Sequence, residues 1–553
     1  MKIKRIIIEN YRSIKKTEVS FSDLLALVGP NNVGKSNIIK ALSIILGKSY
    51  PTYTNLEIGD YHRNNTKLPV KIILTLDQLS EDDLKFFRSK ARGYLRVRGS
   101  EPVRGNYSTK LNVCLELPYG EPGKFYYLGD DLEPLRYSVG GNEIVVKNDA
   151  RELFPQLILI PGQRDADKYF SDSQKYDWGK LLNKLRSNAN KNIDIKSILE
   201  ELTIKVAGSS DFVNLNEEIR KQILEFLTDD YTSTHISLLP VNPGDIMKTV
   251  HLNLDDGFLS ELNTKGDGIK SLAVIALVLL VAKQENNLVI CLEEPELFLH
   301  PLALYVLNTA MQNRSKTNQV VFSSHSPFLV NVTRPKNIAR VFRKNGETDV
   351  VQLPEESHWL TPAGENKIER DIDAQRNLLF FANSVILVEG PTEYLSLPTF
   401  ANKLNVDLSK KGVVLVEVNG KPNIKNYSDY LTSFKIPHVV VYDVDDPGSG
   451  LNETINLIQA PKFPMDVDFE AVLVKDIGLQ KTDVLLNQAY GISYTNYKNH
   501  PRIINKSLEE KVRHFLIKSK PFAAKYLAET IAKEEVPTTI KNIINKSVDI
   551  ANE

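Results

Sequence analysis

The sequence predicts a two-part α/β protein: a phosphate-loop nucleotide-binding head interrupted by a helical insertion, followed by a second, Rossmann-like unit. Three observations carry this expectation. GPNNVGKS, Gly29 to Ser36, fits the G-x-x-x-x-G-K-[ST] pattern of a loop that cradles a nucleoside triphosphate. NLVICLEEPELFLHP, Asn287 to Pro301, is an apolar run that delivers two adjacent carboxylates. Beyond residue 345 the strand pattern restarts and gives two more apolar strands that end in acids, SVILVEG and HVVVYDVDDPG.

The loop lies in the setting its chemistry needs. Leu24 to Val28 is a short apolar run of buried-strand type, and Asn37 to Leu46 has apolar residues at helical spacing. Gly29 and Gly34 let backbone N–H groups converge on phosphate oxygens where a helix starts, with Asn31 and Asn32 in the body of the loop. Lys35 is expected to reach the β- and γ-phosphates and the Ser36 hydroxyl to join the shell of Mg²⁺, so ATP with Mg²⁺ is the expected cofactor.

Between the strand runs Ile3–Glu9, Val70–Leu76, Lys110–Leu117 and Leu157–Pro161 and the second half of the head, the character changes. WGKLLNKLRSNAN (Trp178 to Asn190) and VNLNEEIRKQILEFL (Val213 to Leu227) have helical apolar spacing with charges between. The expected boundaries are 1–164 and 245–345 for the two parts of the head, 165–244 for the helical insertion, 346–382 for a linker, 383–535 for the second unit and 536–553 for a tail. The amphipathic helices of the insertion need a partner surface, either their own head or a second copy.

At the end of the Leu288–Cys291 run, adjacent strand residues should point to opposite sides. Glu293 is therefore assigned to the Mg²⁺ and Glu294 to polarising the attacking water. QVVFSSHSPFLV, one helix further on, ends in His325, placed as a γ-phosphate sensor would be. TKGDGIKSL, Thr264 to Leu272, is a turn containing Gly266 and Gly268 that opens a helix and offers an anion-facing N-terminus.

The second unit repeats the logic with harder ligands. Glu389 follows an apolar strand, Glu393 lies in the first turn of the next helix, and Asp443 and Asp445 are spaced by one at the end of another strand. Residues two apart on a strand face one way, so these four acids can gather around hard divalent cations.

Composition limits the alternatives. With 553 residues, 42% hydrophobic and 25% charged, the chain has ordinary globular composition and room for two to four domains. Lys plus Arg (69) balances Asp plus Glu (69), so nucleic acid must be met by local patches. Cys114 and Cys291 are isolated in apolar runs, which suits reduced core thiols and a cytoplasmic compartment and excludes a Cys-based metal site. The longest apolar run, Leu272 to Ala282, is too short for a bilayer, so no membrane partner is expected.

Taken together, Gly29–Ser36, KGDGIKS, CLEEPE and SSH, with the opening IKRIIIENYRSIKKTEVSF, resemble the ABC-type ATPase head of chromosome-structural and RecF-like proteins. That resemblance implies a homodimer that sandwiches ATP. This sequence has Asp267 where the family signature usually carries a small hydroxyl residue, which a γ-phosphate would repel. For the glutamine loop of the family, Gln78 and Gln163 both stand. The acidic strand ends resemble the Toprim fold, and a head followed by Toprim is similar to the overcoming-lysogenization-defect nuclease family, which includes the nuclease of Gabija-type antiphage systems. By that resemblance Glu470 joins the metal shell and Lys520 lies near the scissile phosphate, with Asp468 and Lys518 as rivals.

The expected function is a nucleotide-regulated, divalent-metal-dependent DNA endonuclease serving antiphage defence, with two Mg²⁺ or Mn²⁺ ions at the Toprim site. Family members act alone, with a helicase, or with a reverse transcriptase and its noncoding RNA, in dimers or larger homo-oligomers. The alternatives are a RecF-like ATP-dependent DNA clamp without nuclease activity and a strand-joining enzyme, which would need a tyrosine nucleophile in a recognisable setting.

Overall fold

The computed structural model describes residues 1–47, 49–90, 110–136, 141–170, 208–225, 233–238, 250–283, 287–331, 334–353, 376–444, 450–465, 467–519 and 522–552. The chain divides into two compact units, Met1–Thr333 with Asn337–Val350, and Arg334–Lys336 with Val351–Glu553.

The strands Lys2–Tyr11 (β1), Ile14–Ser20 (β2), Leu24–Val28 (β3), Val70–Asp77 (β4), Leu111–Leu117 (β5), Lys124–Leu128 (β6) and Gln156–Ile160 (β7) open the first unit. Ser233–Leu238 (β8), Val250–Asp255 (β9), Leu259–Glu261 (β10), Leu288–Glu293 (β11), Gln319–Ser324 (β12), Ile338–Lys344 (β13) and Glu347–Gln352 (β14) follow. They build a five-stranded sheet in the order β2-β1-β4-β5-β6, a three-stranded sheet β10-β9-β8, and a six-stranded sheet β14-β13-β3-β12-β11-β7. The outer sheet is antiparallel along β1, β2, β4, β5 and β6, and the strands β13, β3, β12, β11 and β7 run parallel.

Register in the parallel sheet explains the site. Ser324 is level with Val28, and Glu293 with Ser323. Neighbouring strands lie about 4.8 Å apart, so the phosphate loop after β3, the histidine after β12 and the carboxylates of β11 emerge side by side. The strands are near-continuous apolar runs because both faces are covered: Leu24–Val28 is buried at every position. The helix Lys35–Leu46 turns Ile38, Ile39, Leu42 and Ile45 into the core between the sheets.

Within the expected helical insertion, Ser210–Leu224 is a helix that starts on a Ser209 cap, whose hydroxyl accepts from the Phe212 N–H, but Ser233–Leu238 is a strand paired with β9. Trp178–Asn190 lies outside the described residues.

The second unit has a parallel sheet of Ser384–Val388 (β15), Val413–Glu417 (β16), His438–Asp443 (β17) and Lys462–Met465 (β18), in the order β16-β15-β17-β18. From β15 the chain first moves to one side and then returns to the other, so β15 and β17 flank a topological switch point, where ligands of open α/β sheets bind. The segment expected as a tail is part of this core. Helix Thr538–Asn552 buries Ile540, Ile543 and Ile544 completely, and Ser384 Oγ donates to the Ser547 carbonyl at 2.7 Å. The segment expected as a linker is likewise structured at both ends: β14 continues the head sheet, and the turn Arg376–Phe381 buries Leu379 and Phe380, the latter edge-on to Tyr430 and Phe434. In both places the element's membership of a core depends on the distant elements it packs against, which the local pattern does not show.

Candidate active sites

In the head, the phosphate loop is shaped by close approach. Gly29 lies where a Cβ would come within 2.0 Å of the Val341 carbonyl oxygen. Gly34, at φ +110, would press a Cβ to 2.3 Å from Thr348 Oγ1. Asn32 adopts φ 61, a region that Asn tolerates, and Asn31 and Asn32 are exposed. Lys35 is buried and donates to the carbonyls of Gly29 (2.7 Å) and Pro30 (2.8 Å). Burial pushes its ammonium below the usual lysine range, while Glu294 and Glu296 oppose the shift. Behind the loop, Thr348 Oγ1 donates to the Val33 carbonyl (2.7 Å) and lies 2.7 Å from Ser13 Oγ, which accepts from Asn37.

Glu293 ends β11, and its carboxyl is raised above the ordinary range by burial, against the lowering effects of Lys40 and a hydrogen bond with Ser36. Its link to the loop serine is the arrangement expected of a shared Mg²⁺ shell. Glu294 does not continue the strand. It takes φ 42, so its direction is set by a left-handed turn and not by strand alternation, which corrects the sequence argument. Its N–H donates to the Ser323 carbonyl and hydroxyl at 3.1 and 3.2 Å.

Sequence reasoning missed two residues here. Glu296 is buried; its Oε1 accepts from Ser324 Oγ and the His325 N–H, both at 2.8 Å, and lies 3.5 Å from His325 Nδ1. Glu294 Oε1 stands 3.9 Å from the same nitrogen. Arg164 Nη1 donates to Ser271 Oγ (2.6 Å), and Nη2 to the carbonyls of Glu293 (2.9 Å) and Glu294 (3.1 Å). Among the described residues, Arg164 Nε, Glu293 Oε1, Glu296 Oε2 and His325 Nδ1 are all buried without a hydrogen bond. Buried polar atoms are nearly always paired, so four open ones in one cluster fit a site that receives Mg²⁺, phosphate and water. The third E of EEPE was the visible signal for Glu296; nothing in the sequence around Arg164 distinguished it from a surface arginine.

Helix Asp267–Lys283 starts at the glycine turn. Gly268 is needed because a Cβ would lie 2.5 Å from the Phe298 carbonyl oxygen, whereas Gly266 faces open space. The Asp267 side chain is largely exposed, 3.9 Å from Lys270 Nζ. Gln163 is exposed and Gln78 sits at φ 55.

In the second unit, three elements bring the acids together. Glu389 follows β15; its Oε2 accepts from the Asp443 N–H at 3.4 Å, bridging to the end of β17. Asp443 Oδ1 accepts from the Phe469 N–H at 2.9 Å, and Glu470 Oε1 from Thr392 Oγ1 at 3.3 Å. Glu393 and Glu470 are buried in the first turns of their helices. Burial, then Glu393, Glu389 and Glu470, push Asp443 up to about 9; burial, with Glu470 and Glu389 adding, pushes Glu393 up to about 8. Each acid thus feels the others. Among the described residues, no three acidic, histidine or cysteine side chains are disposed as they stand to share one ion, because these oxygens are turned onto backbone and hydroxyl donors. The donor set still fits: hard carboxylates, wholly or partly buried and crowded together, are what a divalent cation stabilises. Asp445 and Lys520 lie outside the described residues.

Asp468 has a different occupation from Glu470. It caps helix Phe469–Ile477 through the Ala471 N–H (2.7 Å) and accepts a forked contact from Arg513. Lys518 lies over the Tyr497 ring at 5.1 Å. Lys421, which sequence reasoning passed over, is buried and donates to the Val444 carbonyl at 3.0 Å, where Asn452 Nδ2 also donates at 3.0 Å. Its turn also bonds the first acidic strand end, through the Gly420 N–H to the Glu389 carbonyl at 2.9 Å.

A parallel sheet that aligns a phosphate loop, two carboxylates and a histidine, joined to a second whose switch point gathers acids, defines a P-loop ATPase head with a Toprim unit. The chain belongs to the AAA ATPase domain family, whose model matches residues 1–101 and 106–330, and residues 380–445 match the overcoming lysogenization defect protein-like TOPRIM domain. It is 25% identical to the OLD nuclease of Thermus scotoductus over 80% of this chain and 82% of that protein. It is 23% identical to the endonuclease GajA of Bacillus cereus over 90% of this chain and 86% of that protein. The SMC head domain from Thermotoga maritima is similar at 14% identity with a TM-score of 0.36, over 64% of this chain and all (100%) of that one. Among the described residues, no helix is long and apolar enough to cross a membrane.

Proposed function

We propose that this protein is a divalent-metal-dependent DNA endonuclease, nicking or cutting duplex DNA in antiphage defence, whose head binds ATP and controls cleavage. The observation that carries the proposal is the clustering of Glu389, Glu393, Asp443 and Glu470 at the switch point of the second sheet, each raising or meeting the next. The nuclease names of its relatives support it. Glu389 and Asp443, with Asp445, are the first ligands; Glu393 and Glu470 complete the shell. Mg²⁺ or Mn²⁺, when bound, supplies Lewis acidity to the attacking water and to the leaving 3′-oxygen. Lys520 offsets the charge that builds on the scissile phosphate. In the head, Lys35, Gly29, Gly34 and Ser36 bind the triphosphate, Glu293 takes the metal side, Glu294 orients water and His325 senses the γ-phosphate. Two copies, associating through their heads or through residues 165–244, would let nucleotide binding change access to the nuclease site.

Supercoiled plasmid incubated with pure protein and Mg²⁺ or Mn²⁺, with and without ATP, tests the proposal. Nicked or linear DNA is expected. Unchanged plasmid bound by the protein would favour a RecF-like clamp, and relaxed closed circles would favour strand joining.

A further inference from the structure

We infer that Arg164 is the positioning residue for Glu294: its guanidinium fixes the turn that carries this carboxylate and ties that turn to the helix Asp267–Lys283. The inference rests on Glu294 as the group that polarises water in the head.

Glu294 holds a left-handed backbone at φ 42, where a side-chain-bearing residue stays only if its surroundings fix it. Two neighbours do so. From β12, Ser323 receives the Glu294 N–H. From the segment after β7, Arg164 Nη2 donates to the carbonyls on both sides of the turn, those of Glu293 (2.9 Å) and Glu294 (3.1 Å). The other end of the same planar group, Nη1, donates to Ser271 Oγ at 2.6 Å, and Ser271 is only 2% exposed. Burial lowers Arg164 to about 10, with Glu296 and Glu294 opposing, so it remains a cation at neutral pH.

A guanidinium presents its donors in a rigid fork, which an ammonium does not. The helix and the carboxylate turn are therefore fixed to one rigid group. A second contact ties the same helix to the segment that follows the carboxylate turn: Gly268 lies so close to the Phe298 carbonyl that a Cβ would approach it to 2.5 Å. A shift of the glycine turn at Gly266–Gly268 is thus delivered to Glu294.

The test uses the full chain and two readouts, ATP turnover and binding of a fluorescent ATP analogue. Arg164→Met is expected to lower the turnover rate about 10²-fold, the cost of misplacing a catalytic group by about 1 Å, with nucleotide affinity kept within about threefold. Arg164→Lys, which keeps the charge and loses the fork, is expected to show most of that loss. Ser271→Ala is expected to lose about threefold in rate and to add nothing to Arg164→Met, because both remove one linkage. Should the Met variant fail to fold, the Lys and Ala variants carry the test. Wild-type turnover in the lysine variant, or independent multiplicative losses in the double variant, would overturn the inference. A wild-type protein that binds ATP and never turns it over would overturn the role of Glu294 first, and this inference with it.

Discussion

Gly34 and Thr348 meet across the back of the phosphate loop, so closely that a methyl group on Gly34 would lie 2.3 Å from the threonine hydroxyl. The contact joins the residue that caps the helix Lys35–Leu46 to β14, the last strand of the head sheet. Gly34→Ala combines this clash with φ +110 and is expected to abolish ATP binding. Thr348→Val keeps the shape and removes the bond to the Val33 carbonyl; it is expected to weaken ATP binding about tenfold. Titration with a fluorescent ATP analogue decides both, and wild-type affinity in Gly34→Ala would refute the account of the loop.

Lys35→Ala is expected to remove ATP binding and the response of cleavage to ATP, because the loop lysine is the group that reaches the β/γ-phosphates. Cleavage without nucleotide should persist. An unchanged ATP response would refute control by the head.

Glu389→Gln and Asp443→Asn are each expected to abolish plasmid cleavage, by about 10³-fold or more, while leaving ATP affinity at the wild-type value. A variant that cuts at the wild-type rate would remove these residues from the site.

The same acids predict a pH dependence. Asp443, raised from 3.8 to about 9, and Glu393, raised from 4.5 to about 8, hold protons more tightly in the folded protein than in the unfolded chain. Their stabilising contribution is complete below the unfolded values and is lost as pH rises through about 8 and about 9. Metal-free protein should therefore melt at lower temperature at about pH 9 than at about pH 6, with Mn²⁺ restoring more at the higher pH. Asp443→Asn should flatten the profile. Thermal melts over this range, with chelator and with Mn²⁺, provide the measurement; a flat wild-type curve contradicts the crowding of the acids.

Helix Thr538–Asn552 predicts a stability effect in the second unit. Ile543→Ala, at a fully buried position, should cost about 2–5 kcal/mol in the second unit. Denaturant unfolding followed by a probe in that unit checks it, and a change below about 1 kcal/mol would mean the helix is dispensable.

Much of this architecture was legible because its signals are local. Strand, glycine turn and helix around Gly29–Ser36 follow one another in sequence, and the apolar runs of β11, β12, β15 and β17 carry their acids and histidine at their ends. What escaped depends on contacts made across long separations. Arg164 acquires its role only by folding beside Ser271 and Glu294, Lys421 by reaching Val444, and Thr348 by lying under Val33, 315 residues away in sequence. Strand alternation misplaced Glu294 because the strand ends one residue earlier, in a backbone conformation that no propensity favours for glutamate.

Ser384, the first residue of the strand that leads to Glu389, is bonded to the backbone of Ser547, within the closing helix of the second unit. During synthesis the sheet of that unit emerges from the ribosome well before its cover. A nascent chain interrupted anywhere ahead of residue 538 leaves β15 without this lining. The acid cluster therefore gains its finished scaffold only after the helix Thr538–Asn552 has been made and has docked behind β15.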